Sequence, residues 1–191
     1  MFSIIHEQTH FFSLNFCSHC GSSDLEFKIP EGDNRLRHIC PSCGTIHYQN
    51  PRVIVGSVPI WENKIMLCRR NIEPRFGLWN LPSGFLENGE TIEEGALREL
   101  KEESMAEGEI LGLHSLYNLP HANQVYVHFL VALNSNYFEL TPESSEIEFF
   151  DPPNIPYSDM AFSSSTFSIK KYLENVHSTN PKVHIGTYVK S

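Results

Sequence analysis

The chain is poor in several things, and each shortage excludes a class of function. No apolar run in its 191 residues approaches the length of a bilayer span, so no membrane partner is expected. Basic residues are few, 14 against 23 acidic ones, for a formal net charge of -9. That balance argues against a non-specific nucleic-acid binder, which needs a basic surface. It leaves room for a nucleotide whose charge is carried by metal ions. The first residues, MFSIIHEQTHFFSLNF, lack a basic n-region and a clean apolar core, so they do not read as a signal peptide. There is no internal repeat and no low-complexity tract. A chain this long can bury a real core, with room for a small extra module.

Cysteine is scarce too, but four of the five stand in two pairs. Cys17 and Cys20 form one C-x-x-C knuckle, Cys40 and Cys43 another, each followed by Gly, with 19 residues between Cys20 and Cys40. A knuckle turns sharply enough to aim two thiolates at one tetrahedral ion. The pattern matches a structural Zn²⁺ ribbon, closed to water by four sulfur ligands, better than a redox pair or disulfides. His19 lies inside a knuckle and is not needed. Metal-binding thiols without a signal point to a reducing cytoplasm. The expected layout is an N-terminal segment and ribbon over residues 1–50, a main domain over 51–178 and a loose tail over 179–191. Phe11, Phe12, Leu14 and Phe16 either pack on the ribbon or serve a partner contact.

The main domain is organised around residues 84–106, GFLENGETIEEGALRELKEESMA. Thr91 with Glu94 three residues on makes a capping box, so a helix should begin just after Thr91. Ala96, Leu97 and Leu100 form its apolar stripe. Glu99, Glu102 and Glu103 fall beside the stripe at three- and four-residue spacings, so their carboxylates share one face. Mg²⁺ takes oxygen ligands and would relieve their repulsion.

This stretch resembles the Nudix box, G-x5-E-x7-R-E-U-x-E-E-x-G-U, where U is a bulky aliphatic residue. Gly84, Glu90, Arg98, Glu99, Leu100, Glu102 and Glu103 fall in register. Met105 stands where the family has Gly, and Ala106 where it has an aliphatic residue. A left-handed stop at Met105 would be strained, so the helix is expected to run on, with Gly108 as a later stop. The resemblance implies an α/β fold: a three-layer α/β/α sandwich with a mixed sheet, preceded by the ribbon. It also implies hydrolysis of a nucleoside diphosphate linked to another group. Glu99 and Glu103 would be the principal Mg²⁺ (or Mn²⁺) ligands, Glu102 an additional one, and Ser83 a ligand through its backbone oxygen. Arg98 and Glu90 would orient that set. A downstream Glu is implied to complete the site or activate water, with Glu146 preferred over Glu143; a box carboxylate is the other candidate base.

Around the box, residues 53–60 and 64–68 read as a hairpin turning at Glu62 and Asn63. Cys68 reads as a buried strand residue. Arg69 and Arg70 at the strand end either reach substrate phosphate or are simply exposed. Phe76 and Trp79 either stack on a substrate ring or pack. Residues 109–119 and 124–133 alternate as two strands, the second with Tyr126, His128 and Leu130 on one face and an apolar core face opposite. Residues 141–151 read as a loop. A final amphipathic helix follows residue 161, covering the sheet with Phe162, Phe167, Ile169 and Leu173.

The segment LPHANQVYV resembles ribbon-bearing ADP-ribose and FAD pyrophosphatases, making His121 and Tyr126 candidate substrate contacts. Ribbon-bearing NADH pyrophosphatases carry an SQPWPFPxS-type array that is missing here. The expected substrate is therefore a dinucleotide or nucleotide sugar, ADP-ribose or FAD first, releasing AMP. The alternatives are an NADH pyrophosphatase-like hydrolase and a catalytically weak nucleotide sensor. The ribbon reads as a stabilising or dimerising element, and a homodimer is expected.

Overall fold

The computed structural model describes residues 14–176, 178 and 182–189. Two compact units divide the chain, residues 1–51 and 52–191. In the first, β1 (Glu26–Lys28), β2 (Arg37–Ile39) and β3 (Ile46–His47) form a small antiparallel sheet. Of the early aromatic positions, Phe11 and Phe12 lie outside the described residues, and Phe16 is exposed.

The second unit opens with β4 (Arg52–Trp61) and β5 (Lys64–Arg70), joined by the expected two-residue turn. Glu62 and Asn63 both have positive φ, as a hairpin turn matched to strand twist requires. The hairpin pairs only next to its turn, at Ile60 with Ile65 and Trp61 with Lys64. Beyond that the strands part, and the following segment fills the gap. There β6 (Trp79–Asn80) pairs with β5, and β7 (Ser83–Phe85) pairs with β4. Gly56 permits this wedge, because a Cβ there would collide with Pro82 and Ser83.

Helix α1 (Ile92–Ser104) follows, then β8 (Gly108–Leu119), β9 (Gln124–Leu133), β10 (Ser144–Phe150), helix α2 (Ser163–Asn175) and β11 (His184–Thr187). The sheet order is β10-β5-β4-β9-β8-β11, with β4–β9 and β8–β11 parallel and the other pairs on this path antiparallel. Val55, Met66, Val127 and Phe129 pack with Ala96 and Leu100 of α1. Val58, Ile65, Leu67 and Trp79 pack with Ile169 and Tyr172 of α2. The result is the expected three-layer α/β/α sandwich with a mixed sheet. Among the described residues no helix is long and apolar enough to cross a membrane.

Four expectations need correction. Residues 144–150 are an edge strand rather than a loop, because they pair with β5 from Arg70 to Ile65, Ile147 packing on the α1 side of the sheet and Phe150 on the α2 side. The expected loose tail contains β11, which pairs with Ser115–Asn118 through His184 to Thr187. The polar-looking face of β9 is buried like the apolar one: His128 is fully buried and Tyr126 is 7% exposed. A sheet covered on both faces has no solvent side.

Helix α2 covers the sheet with Ile169 fully buried and with Phe167 and Leu173 packed on the core, as expected, and it adds a seam of serines. Ser164, Ser165 and Ser168 are buried, whereas Phe162, Phe167 and Leu173 are only half-buried. Ser168 Oγ lies 2.8 Å from His128 Nδ1 and 2.5 Å from Ser115 Oγ, and Ser165 Oγ donates to Asn80 Oδ1 at 2.7 Å. Burial, with a further push from His114, lowers His128 to about 3, so its ring is neutral.

The fourth correction concerns the end of α1. The helix stops at Ser104, and Met105 takes the left-handed conformation at φ 58°, its N–H donating to Lys101 O at 2.7 Å. The position keeps its backbone geometry despite carrying a Cβ. Gly108 instead opens β8, where a Cβ would strike Ala132 and Val131. Met105 is 41% exposed, so its side chain contributes little packing. Met105→Gly is therefore expected to stabilise the chain by about 1 kcal/mol, read as a shifted denaturant midpoint at unchanged m-value.

Candidate active site and thiol cluster

The wedge between β4 and β5 positions the acidic helix. Thr91 and Glu94 form the expected capping box, Thr91 N donating to Glu94 Oε2 at 2.8 Å and Glu94 N to Thr91 Oγ1 at 3.2 Å. This sets the register of α1. Gly84 in β7 then passes so close that a Cβ would occupy the space of the Glu99 carboxylate. The adjacent Ser83 N–H donates to Glu103 Oε1 at 3.0 Å. Glycine at 84 thus lets a strand lie directly on two helix carboxylates, which are 8% (Glu99) and 5% (Glu103) exposed.

One guanidinium holds this arrangement. Arg98 is bidentate to Glu90 at 2.7 and 2.9 Å, and donates to Glu99 at 2.6 Å, Glu102 at 2.9 Å and Phe85 O at 3.0 Å. Of the helix carboxylates, Glu99 and Glu102 converge on Arg98, while Glu103 does not. Glu90 in turn accepts Glu87 N–H at 2.7 Å, so the loop is tied to the helix. Hydrogen bonds from Arg98 and the Glu87 amide pull Glu90 down to about 2. The carboxylates raise Arg98 further above its already high value.

Glu103 behaves in the opposite way. Burial pushes it up to about 8 against the Ser83 hydrogen bond, the charges of Glu99 and Glu143 push the same way, and Arg70 opposes. Burial also raises Glu99, opposed by Arg98 and helped by Glu102 and Glu143. Two buried carboxylates under further negative charge suit a hard divalent cation held by oxygens. Glu102 is half-exposed and reaches the set through Arg98.

The remaining candidates divide. Glu146 faces Arg69 across β10 and β5 and pairs with it at 3.0 Å, both half-exposed, and Arg69 also donates to Gly77 O at 2.8 Å. It is Glu143 whose charge bears on Glu99 and Glu103. Arg70 is 9% exposed, donates from Nε to Pro74 O at 2.9 Å, and is not a free strand end. Trp79 is a core residue, edge-on to Phe150 at 5.0 Å, because β6 turns its ring inward. Phe76 is 60% exposed. His121 is exposed on a short turn, Pro120–Ala122, its ring 5.0 Å from Tyr188. Cys68 is fully buried in β5, as expected.

In the first unit, Cys17, Cys20, Cys40 and Cys43 bring all four sulfurs within 4.8 Å of one another. The Cys17–Cys43 and Cys20–Cys40 separations are both 3.6 Å. A tetrahedral zinc site with Zn–S bonds of roughly 2.3 Å needs sulfurs just under 4 Å apart, so the cluster fits. Hydrogen bonding to Thr45 lowers Cys43 to about 6, favouring the thiolate that a metal requires.

Comparison with known proteins agrees with this geometry. A family model described as Nudix N-terminal matches residues 15–49, and one described as NUDIX domain matches residues 50–168. The crystal structure of a NUDIX hydrolase from Nitrosomonas europaea superposes with a TM-score of 0.87 at 47% identity, covering 93% of this chain and all of that one. An ADP-ribose pyrophosphatase of Methanocaldococcus jannaschii is 33% identical over 57% of this chain and 67% of its own length. An NAD-capped RNA hydrolase, NudC, of Vibrio vulnificus is 28% identical over 75% of this chain, which spans 53% of that relative.

Two outcomes follow from the site. Glu103 folded, at about 8, stands above its ordinary 4.5. The stability it contributes is therefore full below about pH 4.5 and lost as pH rises through about 8. With a chelator present, wild-type melting temperature is expected to fall across that window relative to Glu103→Gln, in paired calorimetric scans. Extraction of a bound metal from the thiols is expected to unfold residues 17–47 and leave the second unit's amides protected, as read by hydrogen exchange.

Proposed function

The chain belongs to the Nudix family, and from that premise we propose that it is a divalent-metal-dependent pyrophosphohydrolase cleaving the diphosphate of a dinucleotide or nucleotide sugar. The observation that carries the proposal is the pair of buried carboxylates, Glu99 and Glu103, laid under Gly84 and Ser83 and oriented by Arg98. ADP-ribose is the first substrate choice and FAD the second, giving AMP with ribose 5-phosphate or FMN. Mg²⁺ or Mn²⁺ is the proposed catalytic ion and Zn²⁺ the structural one, in a cytoplasmic homodimer.

When bound, the divalent ions supply charge neutralisation on the bridging phosphates and a lowered pKa for water. Glu99 and Glu103 would hold them, with Glu102 and the Ser83 carbonyl as further donors. Arg98 keeps Glu99 in place, and Glu90 keeps Arg98 in place, as supporting groups do around metal ligands. The water that attacks phosphorus loses its proton to a carboxylate. Glu143 is the preferred acceptor, because its charge reaches Glu99 and Glu103 while Glu146 is paired with Arg69. Arg70 and Tyr126 receive the nucleotide half of the substrate.

A second reading, action on NADH or an NAD-capped RNA, is favoured by the shared ribbon, since the NudC match extends over 75% of this chain. A panel of ADP-ribose, FAD, NADH and NAD-capped RNA with Mg²⁺ separates the two by the substrate with the highest kcat/KM. Glu103→Gln is expected to lower kcat on that substrate by roughly 100-fold or more, and Glu143→Gln to cost more than Glu146→Gln. Absence of turnover of every substrate in the wild type would overturn the proposal.

A further inference from the structure

A second cluster lies on the α2 face of the sheet, and Arg70 links it to the carboxylates. The Arg70 guanidinium lies 5.2 Å from the centre of the Phe162 ring, and its charge also reaches Glu103. Phe162 occupies the residue before α2, where a side-chain acceptor normally caps the helix, and it makes no such bond. Helix capping therefore does not account for an aromatic residue there. Packing accounts for it only partly, since Phe162 is half-buried. Its ring is 6.4 Å from that of Tyr126, tilted by 40°. Tyr126 donates its hydroxyl to Gln124 Oε1 at 3.3 Å and lies within reach of the charges of both Arg70 and Arg52. In a chain with so few cations, one arginine and two aromatic rings meet here, and the charge of that arginine reaches the acidic centre.

We propose that Phe162, together with Tyr126 and Arg70, forms the subsite for the nucleoside half of the substrate, and that Phe162 is a specificity-determining residue. The proposal rests on the pyrophosphohydrolase reading. A ring face attracts a base whatever its identity, and a stacked guanidinium answers the phosphate next to the nucleoside. A bare sugar phosphate gains the second contact but not the first. Phe162 therefore separates substrates by the presence of a base, and Arg70 does not.

The test uses the full chain with Phe162→Leu, which keeps apolar volume, and Phe162→Tyr, which keeps the ring. Phe162→Met carries the same expectation as Phe162→Leu if the latter is unstable. Kinetics are compared on ADP-ribose and on P1,P2-dimethyl diphosphate, which has the same bridge and no base. Calorimetric titration with AMP and with ribose 5-phosphate is run alongside. Loss of the ring is expected to raise KM for ADP-ribose and weaken AMP binding about tenfold, with dimethyl diphosphate and ribose 5-phosphate unaffected and Phe162→Tyr close to wild type. Equal losses on both substrates, or no loss of AMP binding in Phe162→Leu, would overturn the subsite. If the wild type cleaves nothing, the hydrolase reading fails. The AMP titration then still decides the subsite, upheld by loss in Phe162→Leu with retention in Phe162→Tyr, and refuted by any other pattern.

Discussion

The site depends on one guanidinium. Arg98 joins three carboxylates and one backbone carbonyl, and through them fastens the loop carrying Glu90 to the helix carrying Glu99 and Glu102. A charge this heavily engaged is not an exposed ion pair of small worth, because its partners are held in fixed geometry by backbone hydrogen bonds and partial burial. Without it, Glu99 would face Glu102 and Glu143 with nothing opposite. The strand at Gly84 can lie on the helix only because that repulsion is already answered.

Glu103 is held differently, and the contrast divides the labour of the site. Glu90 is pulled far down by its arginine, while Glu103, buried and reached by Arg70 only at a distance, is pushed to about 8. One carboxylate is a permanent anion that serves as structure. The other is pushed up by burial, and a cation beside it would offset the cost of its ionisation.

The parts of the fold legible in sequence were those where local chemistry and tertiary need agree. The capping box, the Glu62–Asn63 turn and the four-thiol cluster each carry their geometry in a few adjacent residues. The parts that were not legible depend on distant partners. Trp79 reads as a loop aromatic until β6 places it against Phe150. Residues 144–150 hide their strand because Pro142 and Glu143 precede it, two serines open it and β5 supplies the pairing. The serine seam of α2 has too weak an apolar moment to announce which face is buried. Only its partners, His128, Ser115 and Asn80, define that face. Met105 shows the reverse case: a local preference against left-handed backbone was overridden by the need to end α1 where β8 must begin. Of the candidate site, the box residues were visible as a motif. The pairing of Glu146 with Arg69 was not, because it depends on two strands meeting across the sheet.

Strand β11 pairs with only the second half of β8, from Ser115 to Asn118, although the whole of helix α2 separates the two in sequence. That stretch of β8 is therefore synthesised well before the strand that covers it. Until then its N–H and C=O groups form an open template of the kind that recruits foreign strands. A shortened chain ending with α2 would keep both core clusters and the acidic helix. It would also carry that open template permanently, so its solubility during synthesis would suffer before its chemistry did.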